Sequence, residues 1–276
     1  MTESTVLVKD KTVVAPGQAL ANGMEFFPGP GTYREGDTIR ANQIGMLTVD
    51  GKVLKTTPLA GRYTPKVDDV VIGRVEDILM SGWRIDFNCP YSAVLPLQDA
   101  TTDFIKKGAD LTEYFELDDF VACKITQVTS QNLIDVSMKG PGLRKLKGGQ
   151  FLRVNSAKVP RLIGRKGSMV SMLKDATGCQ IVVGQNGVVW LNGENEALAV
   201  TMVQRIENEA HIPGLTEKIK TTLEKETGKK IDMAAIQEEE RKQFEERKSF
   251  ERKSFERKRF DRKPRFNKPR QKAFKK

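Results

Sequence analysis

The apolar pattern of residues 159–173 is broken once, by Gly164-Arg165-Lys166-Gly167, and this break constrains the fold more than any other feature of the chain. Leu162 and Ile163 lead into it, and Met169, Val170, Met172 and Leu173 resume after it. The pattern is helix, glycine-bracketed turn, helix. Glycine has no Cβ, so both bracketing positions can turn tightly and let another backbone come close. The two cations between them stand where a helix begins, and free N–H groups with the positive end of the dipole favour an anion there. A phosphodiester is the anion that fits. Taken alone, a glycine turn between two helices carries no ligand, so its surroundings decide.

Those surroundings supply a full element order. Phe151 to Val154 reads as a strand, Ala157 to Ile163 as a short helix, and Ser168 to Thr177 as a second helix stopped by Gly178. Gln180 to Val183 is β-branched, Asn186-Gly187 is a hairpin turn, and Val188 to Leu191 returns. A long helix from Glu194 to about Ala210 follows, with Leu198, Met202, Val203 and Ile206 on one side, and Pro213-Gly214 stops it. This β-α-α-β-β-α order with G-x-x-G between its first two helices resembles the eukaryotic-type KH domain, which clamps single-stranded nucleic acid on that loop. The resemblance implies RNA contacts from Gly164, Arg165, Lys166 and Gly167, with Arg161 and Lys174 widening the basic rim.

Upstream, residues 66–139 form a β block. Val71, Gly73 and Val75 alternate on one strand face, with Val70, Ile72 and Arg74 on the other. Strands follow over Gly82 to Phe87, Ala93 to Pro96, Phe120 to Val128 and Leu133 to Met138, with the longest insertion between the third and fourth. That is the plan of a five-stranded OB barrel. Gly73-x-Val75, Gly82-x-x-Ile85-Asp86 and Ile134-x-Val136-Ser137-x-Lys139 resemble the S-one domain, an RNA-binding OB fold. Here the chain departs from the pattern. Arg84 and Ser81 stand where that family exposes aromatics, and Val94-Leu95-Pro96 replaces a strand that often carries histidine. Without stacking platforms the barrel reads as a guide for phosphates, with Arg84, Lys106 and Lys107 on its RNA side. Trp83, Phe87 and Tyr91 are expected to pack in the barrel or at an interface.

The expected class is therefore α+β multidomain. Residues 1–65, dense in Pro-Gly and Asp-Gly turns, form a small β domain, with a hairpin at Asp50-Gly51. An S-one type OB barrel occupies 66–140 and a KH domain 150–213, with Gly140-Pro141-Gly142 and Gly148-Gly149 marking a linker or tight junction. A C-terminal helix covers 214–240, where Leu215, Ile219 and Leu223 recur every four residues and pack on the KH domain or a partner. Residues 241–276 hold 17 basic and 5 acidic residues, including a period-five repeat at Ser249-Phe250, Ser254-Phe255 and Arg259-Phe260. Five residues match neither a helix stripe nor a strand face, so a disordered basic tail is expected.

That tail accounts for the whole formal charge of +10 and leaves the rest of the chain near −2, about neutral. RNA contacts in the folded part must then come from local patches. Cys89, Cys123 and Cys179 are isolated and odd in number, which suggests neither disulfides nor a zinc site. No apolar run is long enough to span a bilayer and no signal peptide is evident, so a cytoplasmic location is expected. Asp68-Asp69 and Asp118-Asp119 fall near strand starts, where neighbours point to opposite faces, so neither pair converges on a metal. No catalytic constellation or cofactor site is visible.

Val14-x-Pro16-Gly17-x-x-Leu20, Gly31-Thr32-Tyr33, Pro58-Leu59-x-Gly61-x-Tyr63-x-Pro65 and Leu162 to Met169, in the order β domain, S-one, KH, resemble the RNA-binding cap subunits of the archaeal exosome, the ribosomal RNA-processing protein four family. The resemblance covers about residues 6–235. It implies a non-catalytic subunit, three copies of which, alone or mixed with the other cap protein, sit on a hexameric RNase-PH-like ring. The N-terminal domain docks on the ring, and the cap feeds RNA 3′ ends inward with a preference for A-rich RNA. Two alternatives stand beside it. A stand-alone S-one/KH factor of transcription elongation or translation carries two KH modules in its bacterial form, and after Pro213 there is no second G-x-x-G and too little folded chain for one. An RNA-degrading enzyme of the polynucleotide phosphorylase type places KH before S-one.

Overall fold

Three β-rich units follow one another in the computed structural model, which describes residues 5–59, 61–101, 105–106, 108–212 and 214–228. The expected tail at 241–276, the end of the helix expected over 214–240, and Lys107 lie outside the described residues. All that is described belongs to the unit Met1–Ile231. Among the described residues no helix is long and apolar enough to cross a membrane.

The first unit comprises β1 (Thr5–Val6), β2 (Val13–Val14), β3 (Ala19–Asn22), β4 (Phe27–Pro28), β5 (Thr32–Glu35), β6 (Thr38–Ala41), β7 (Gly45–Asp50) and β8 (Val53–Pro58). They make two four-stranded sheets, ordered β1-β3-β6-β5 and β2-β7-β8-β4. Val14, Leu20, Ala21, Ile39, Ala41, Leu47 and Leu54 form the core. The hairpin expected at Asp50-Gly51 joins β7 to β8; Asp50 pairs with Val53, leaving Gly51-Lys52 as the turn. Gly51 takes the positive φ of 59° that a tight hairpin turn demands.

The second unit is the barrel: β9 (Val70–Leu79), β10 (Gly82–Asp86), β11 (Ala93–Pro96), a short α1 (Leu97–Ala100), β12 (Phe120–Val128) and β13 (Ile134–Ser137). Strands run in the order β13-β11-β10-β9-β12, and β13 also pairs with β12, which closes the sheet. Inside lie Val71, Val75, Trp83, Ile85, Phe87, Leu95, Val121, Cys123 and Ile125. Alternation along β9 and β12 selects this set, and each large side chain removed from water contributes about 1.5–3 kcal/mol. Gly73 faces inward because a Cβ there would lie 2.2 Å from Ile85 Cγ2.

A sixth strand, β14 (Lys145–Leu146), pairs with the β12 edge, Phe120 opposite Leu146. The stretch expected to be a linker or junction is therefore part of the sheet. Arg144 stacks its guanidinium over the Trp190 ring at 5.6 Å and donates to Gln180 Oε1 at 2.7 Å, so the connection is tied to the third unit as well.

That unit runs β15 (Gln150–Arg153), a 3₁₀ turn (Ser156–Lys158), α2 (Val159–Ile163), α3 (Ser168–Thr177), β16 (Gln180–Val183), β17 (Val188–Asn192), α4 (Glu196–Asn208) and α5 (Leu215–Thr227). Its sheet is ordered β15-β17-β16. The element order is the β-α-α-β-β-α read from the sequence, with α5 added. Leu215, Ile219 and Leu223 of α5 are buried, and α5 packs against α3 and α4.

The barrel and this last sheet share a core. Ile72 and Ala122, on the outward face of β9 and β12, are buried with Leu146, Val188 and Trp190, and the rings of Phe120 and Phe151 stack at 4.0 Å and 25°. The β16–β17 turn reaches across this seam. Gly187 N–H bonds the Gly184 carbonyl at 3.0 Å, making a turn over Gly184–Gly187 with Gly187 at φ 84°. Within it the Gln185 N–H donates to the Val70 carbonyl at 2.8 Å.

Candidate nucleic-acid interface

Helix α2 ends where the sequence breaks. Val159 and Leu162 are buried, and the Gly164 N–H closes the last turn on the Pro160 carbonyl at 3.0 Å. Gly164 then takes φ 79°, ψ 179°, and a Cβ there would lie 2.8 Å from Met169 N. Glycine is required on both counts. Arg165, Lys166 and Gly167 form one 3₁₀ turn, in which Lys166 holds the left-handed conformation at φ 58°, ψ 19°. For a residue with a Cβ that conformation costs about 1–2 kcal/mol. The turn is followed at once by α3, whose Met169, Met172 and Leu173 are buried.

Helix α3 opens at Ser168 with no side-chain cap on its first amides. Arg165 and Lys166 are both exposed beside that end. The Ser168 N–H is bonded to the Arg165 carbonyl, so what this end of the ten-residue helix offers an anion is the positive end of the dipole with two exposed cations beside it. This can hold an extended anion such as a phosphodiester.

The other cations expected at the interface take different parts. Arg161, expected on the basic rim, donates from Nε to the Ala210 carbonyl and from Nη2 to the Ile212 carbonyl, both at 3.1 Å. It satisfies carbonyls beyond the end of α4 and so ties α2 to α4. Lys174 is exposed but lies in the last turn of α3, about 9 Å along the axis from Ser168. On the barrel, Arg84 is outward on β10, half-exposed, with its Nη1 4.0 Å from Asp77 Oδ2 across the strand pair. Lys106 is exposed next to Ile105, which is buried.

Of the barrel aromatics, Trp83 and Phe87 are core residues as expected, Trp83 meeting the Phe115 ring edge-on at 5.0 Å. Tyr91 is 43% exposed in the loop after β10, so it is outside the barrel core.

The four aspartates near strand starts are engaged one by one. Asp68 pairs with Lys124 at 3.0 Å, Asp118 with Arg74 at 3.0 Å, and Asp119 with Lys145. Asp69 accepts from the Tyr63 hydroxyl at 2.6 Å; burial and then this carboxylate push the Tyr63 pKa up. Among the described residues no three His, Cys, Asp or Glu side chains gather as metal ligands. All three cysteines are free thiols.

Comparison with known proteins matches two stretches of the chain to family models: a KH domain over residues 149–197, and an S1 domain of the RRP4 type over residues 62–127. Exosome complex component Rrp4 from Methanothermobacter thermautotrophicus is 40% identical over 225 residues, covering 81% of this chain and 71% of that protein. The protein of the same name from Pyrococcus horikoshii is 40% identical over 224 residues, covering 79% and 84%. That from Methanothermus fervidus is 39% identical over 218 residues, covering 78% and 96%. A solved structure described as that of an exosome complex RNA-binding protein is 34% identical, with a TM-score of 0.54, covering 60% of this chain and 97% of that one.

Proposed function

Because the chain belongs to the Rrp4 family of exosome complex components, we propose that it is a non-catalytic, cytoplasmic RNA-binding subunit of such a complex. The observation that carries the proposal is the Gly164–Gly167 turn, whose two exposed cations flank the uncapped start of α3. In this reading three copies, alone or mixed with a second cap protein, sit on a hexameric phosphorolytic ring of RNase-PH-like subunits. RNA is held by Arg165, Lys166 and the backbone of Gly164 and Gly167, is guided past Arg84 and the Lys106-Lys107 insertion, and enters the ring 3′ end first. A preference for A-rich RNA belongs to the same proposal.

The first unit is proposed to dock on the ring. Val13 and Met46, cross-strand neighbours on the outward face of its second sheet, are exposed, as are Val53 and Phe27, paired at the other edge. These are two separate exposed apolar pairs, with Thr48, Asp50, Lys55 and Thr57 between them on the same face, and they are proposed as two anchors for a protein partner.

Incubation of the purified chain with RNA and inorganic phosphate, with and without the ring, tests the function. The expected result is no shortening by the chain alone and faster 3′ shortening when it is added to the ring. Processive 3′ shortening by the chain alone would overturn the non-catalytic assignment, and an unchanged ring rate would overturn the feeding role.

A further inference from the structure

We infer that the cleft along the seam between barrel and KH sheet holds one nucleotide of a single-stranded RNA, its phosphate between Arg74 and Arg153. This rests on the RNA-binding reading above and adds a binding point separate from both the Gly164–Gly167 turn and Arg84.

The cleft follows from strand alternation. On β9 the inward residues Val71 and Val75 fill the barrel, so Ile72 and Arg74 point outward. The KH sheet covers Ile72 and stops short of Arg74, which remains exposed. Opposite Arg74 stand Asp86 on β10 and Phe120 on β12. On the facing wall Phe151 stacks on Phe120, and Arg153, two residues further along β15, projects on the same side of its strand. A cleft of about 300 Å³ opens between these walls, with Ile72 and Val188 in its lining. That is at the small end of the range for sites that enclose a small ligand, and suits a single nucleotide.

Its chemistry is that of a nucleotide site. One arginine comes from each domain, so two planar forks can meet a phosphate from opposite sides. The Arg153 side chain has no hydrogen-bond or ion-pair partner among the described residues. Arg74 pairs with Asp118 at 3.0 Å, but both side chains are about half or more exposed, and such pairs are weak enough for a phosphate to displace. The half-buried Phe120 and Phe151 rings present an aromatic flank to a base. Asp86 gives one carboxylate oxygen to the Asn88 N–H at 2.9 Å, which leaves its second oxygen and the Asn88 amide for a base edge. Hydrogen bonds and stacking across the seam fix both walls, so binding orders little that is not already ordered.

The test uses the full chain and a short oligoribonucleotide carrying 4-thiouridine. Crosslinks mapped by mass spectrometry are expected in peptides containing Phe120 and Phe151, as well as around Arg165. In anisotropy titrations R74A/R153A is expected to bind about threefold to tenfold more weakly at low salt. Its log–log salt slope should be shallower by about 0.7 for each phosphate that the variant no longer neutralises. Unchanged affinity and slope in a variant of unchanged melting temperature would overturn the proposal. So would a wild-type crosslink map without seam peptides, a result independent of how the variant folds. A wild-type chain that binds no RNA at all would instead remove the RNA-binding reading on which the proposal stands.

Discussion

Asn186 pairs with the Ile72 peptide in both directions: its Nδ2 donates to the Ile72 carbonyl at 2.8 Å, and the Ile72 N–H donates to its Oδ1 at 3.3 Å. The same Nδ2 also donates to the Phe87 carbonyl at 2.8 Å, and the side chain is buried. A turn residue of the KH sheet thus acts toward the barrel as an extra strand would. Replacing it leaves two carbonyls and an N–H without their partner at buried positions. Asn186→Ala is expected to cost about 2–4 kcal/mol, lowering the urea midpoint followed by the fluorescence of Trp83 in the barrel and Trp190 at the seam. An unshifted midpoint would mean that water replaces the amide at no cost.

Charge reversal at the exposed turn acts on binding alone. R165D/K166D is expected to weaken RNA binding by at least about tenfold at low salt with an unchanged melting temperature, because both side chains are exposed and neither supports the fold. Equal affinity in a low-salt titration would show that the loop does not touch RNA.

Arg161 should behave in the opposite way. Loss of its two hydrogen bonds to the Ala210 and Ile212 carbonyls frees the segment after α4, so Arg161→Ala is expected to cost about 1–2 kcal/mol. Its RNA affinity should stay within about twofold of wild type. Denaturation and titration together separate Arg161 from Arg165, which stand on either side of Gly164. A fall in affinity without loss of stability would return Arg161 to the interface.

The thiols report on the barrel wall. Burial pushes the Cys123 pKa up to about 12 and raises that of Cys89, which is only partly buried. A raised pKa leaves less thiolate at a given pH, so alkylation slows and climbs as pH rises. Native protein treated with iodoacetamide from about pH 7 to 9 should show Cys89 labelled increasingly and Cys123 unlabelled until denaturant is added. Labelling of native Cys123, read by peptide mass, would show that the barrel opens.

The KH order was legible because its punctuation is chemical. Helix α3 lies between Gly167 and Gly178, and both take the left-handed conformation that ends or begins a helix. Barrel strands were legible from alternation, with Val121, Cys123 and Ile125 falling inside together. The seam was not. Alternation says which residues share a face and not whether that face is covered, so Ile72 and Ala122 looked like ordinary outward residues. Lys145-Leu146, two residues among cations and glycines, is too short to show any period, although it extends the sheet. Asn186 was readable only as turn chemistry, since its partners lie 99 and 114 positions away. Arg161 looked like a free cation for the same reason: the carbonyls it caps are 49 and 51 positions distant.

The shared core has a consequence for anyone who would take the molecule apart. A barrel cut off after Gly140 would lose β14 and lay bare Ile72, Ala122 and Phe120, while the released KH piece would show Val188, Trp190 and Phe151 to water. Each fragment would carry a raw, sticky flank, prone to self-association and unlike anything the intact chain presents. Protease resistance across residues 140–150, and poor solubility of either half on its own, are the signatures by which the two domains declare themselves a single piece.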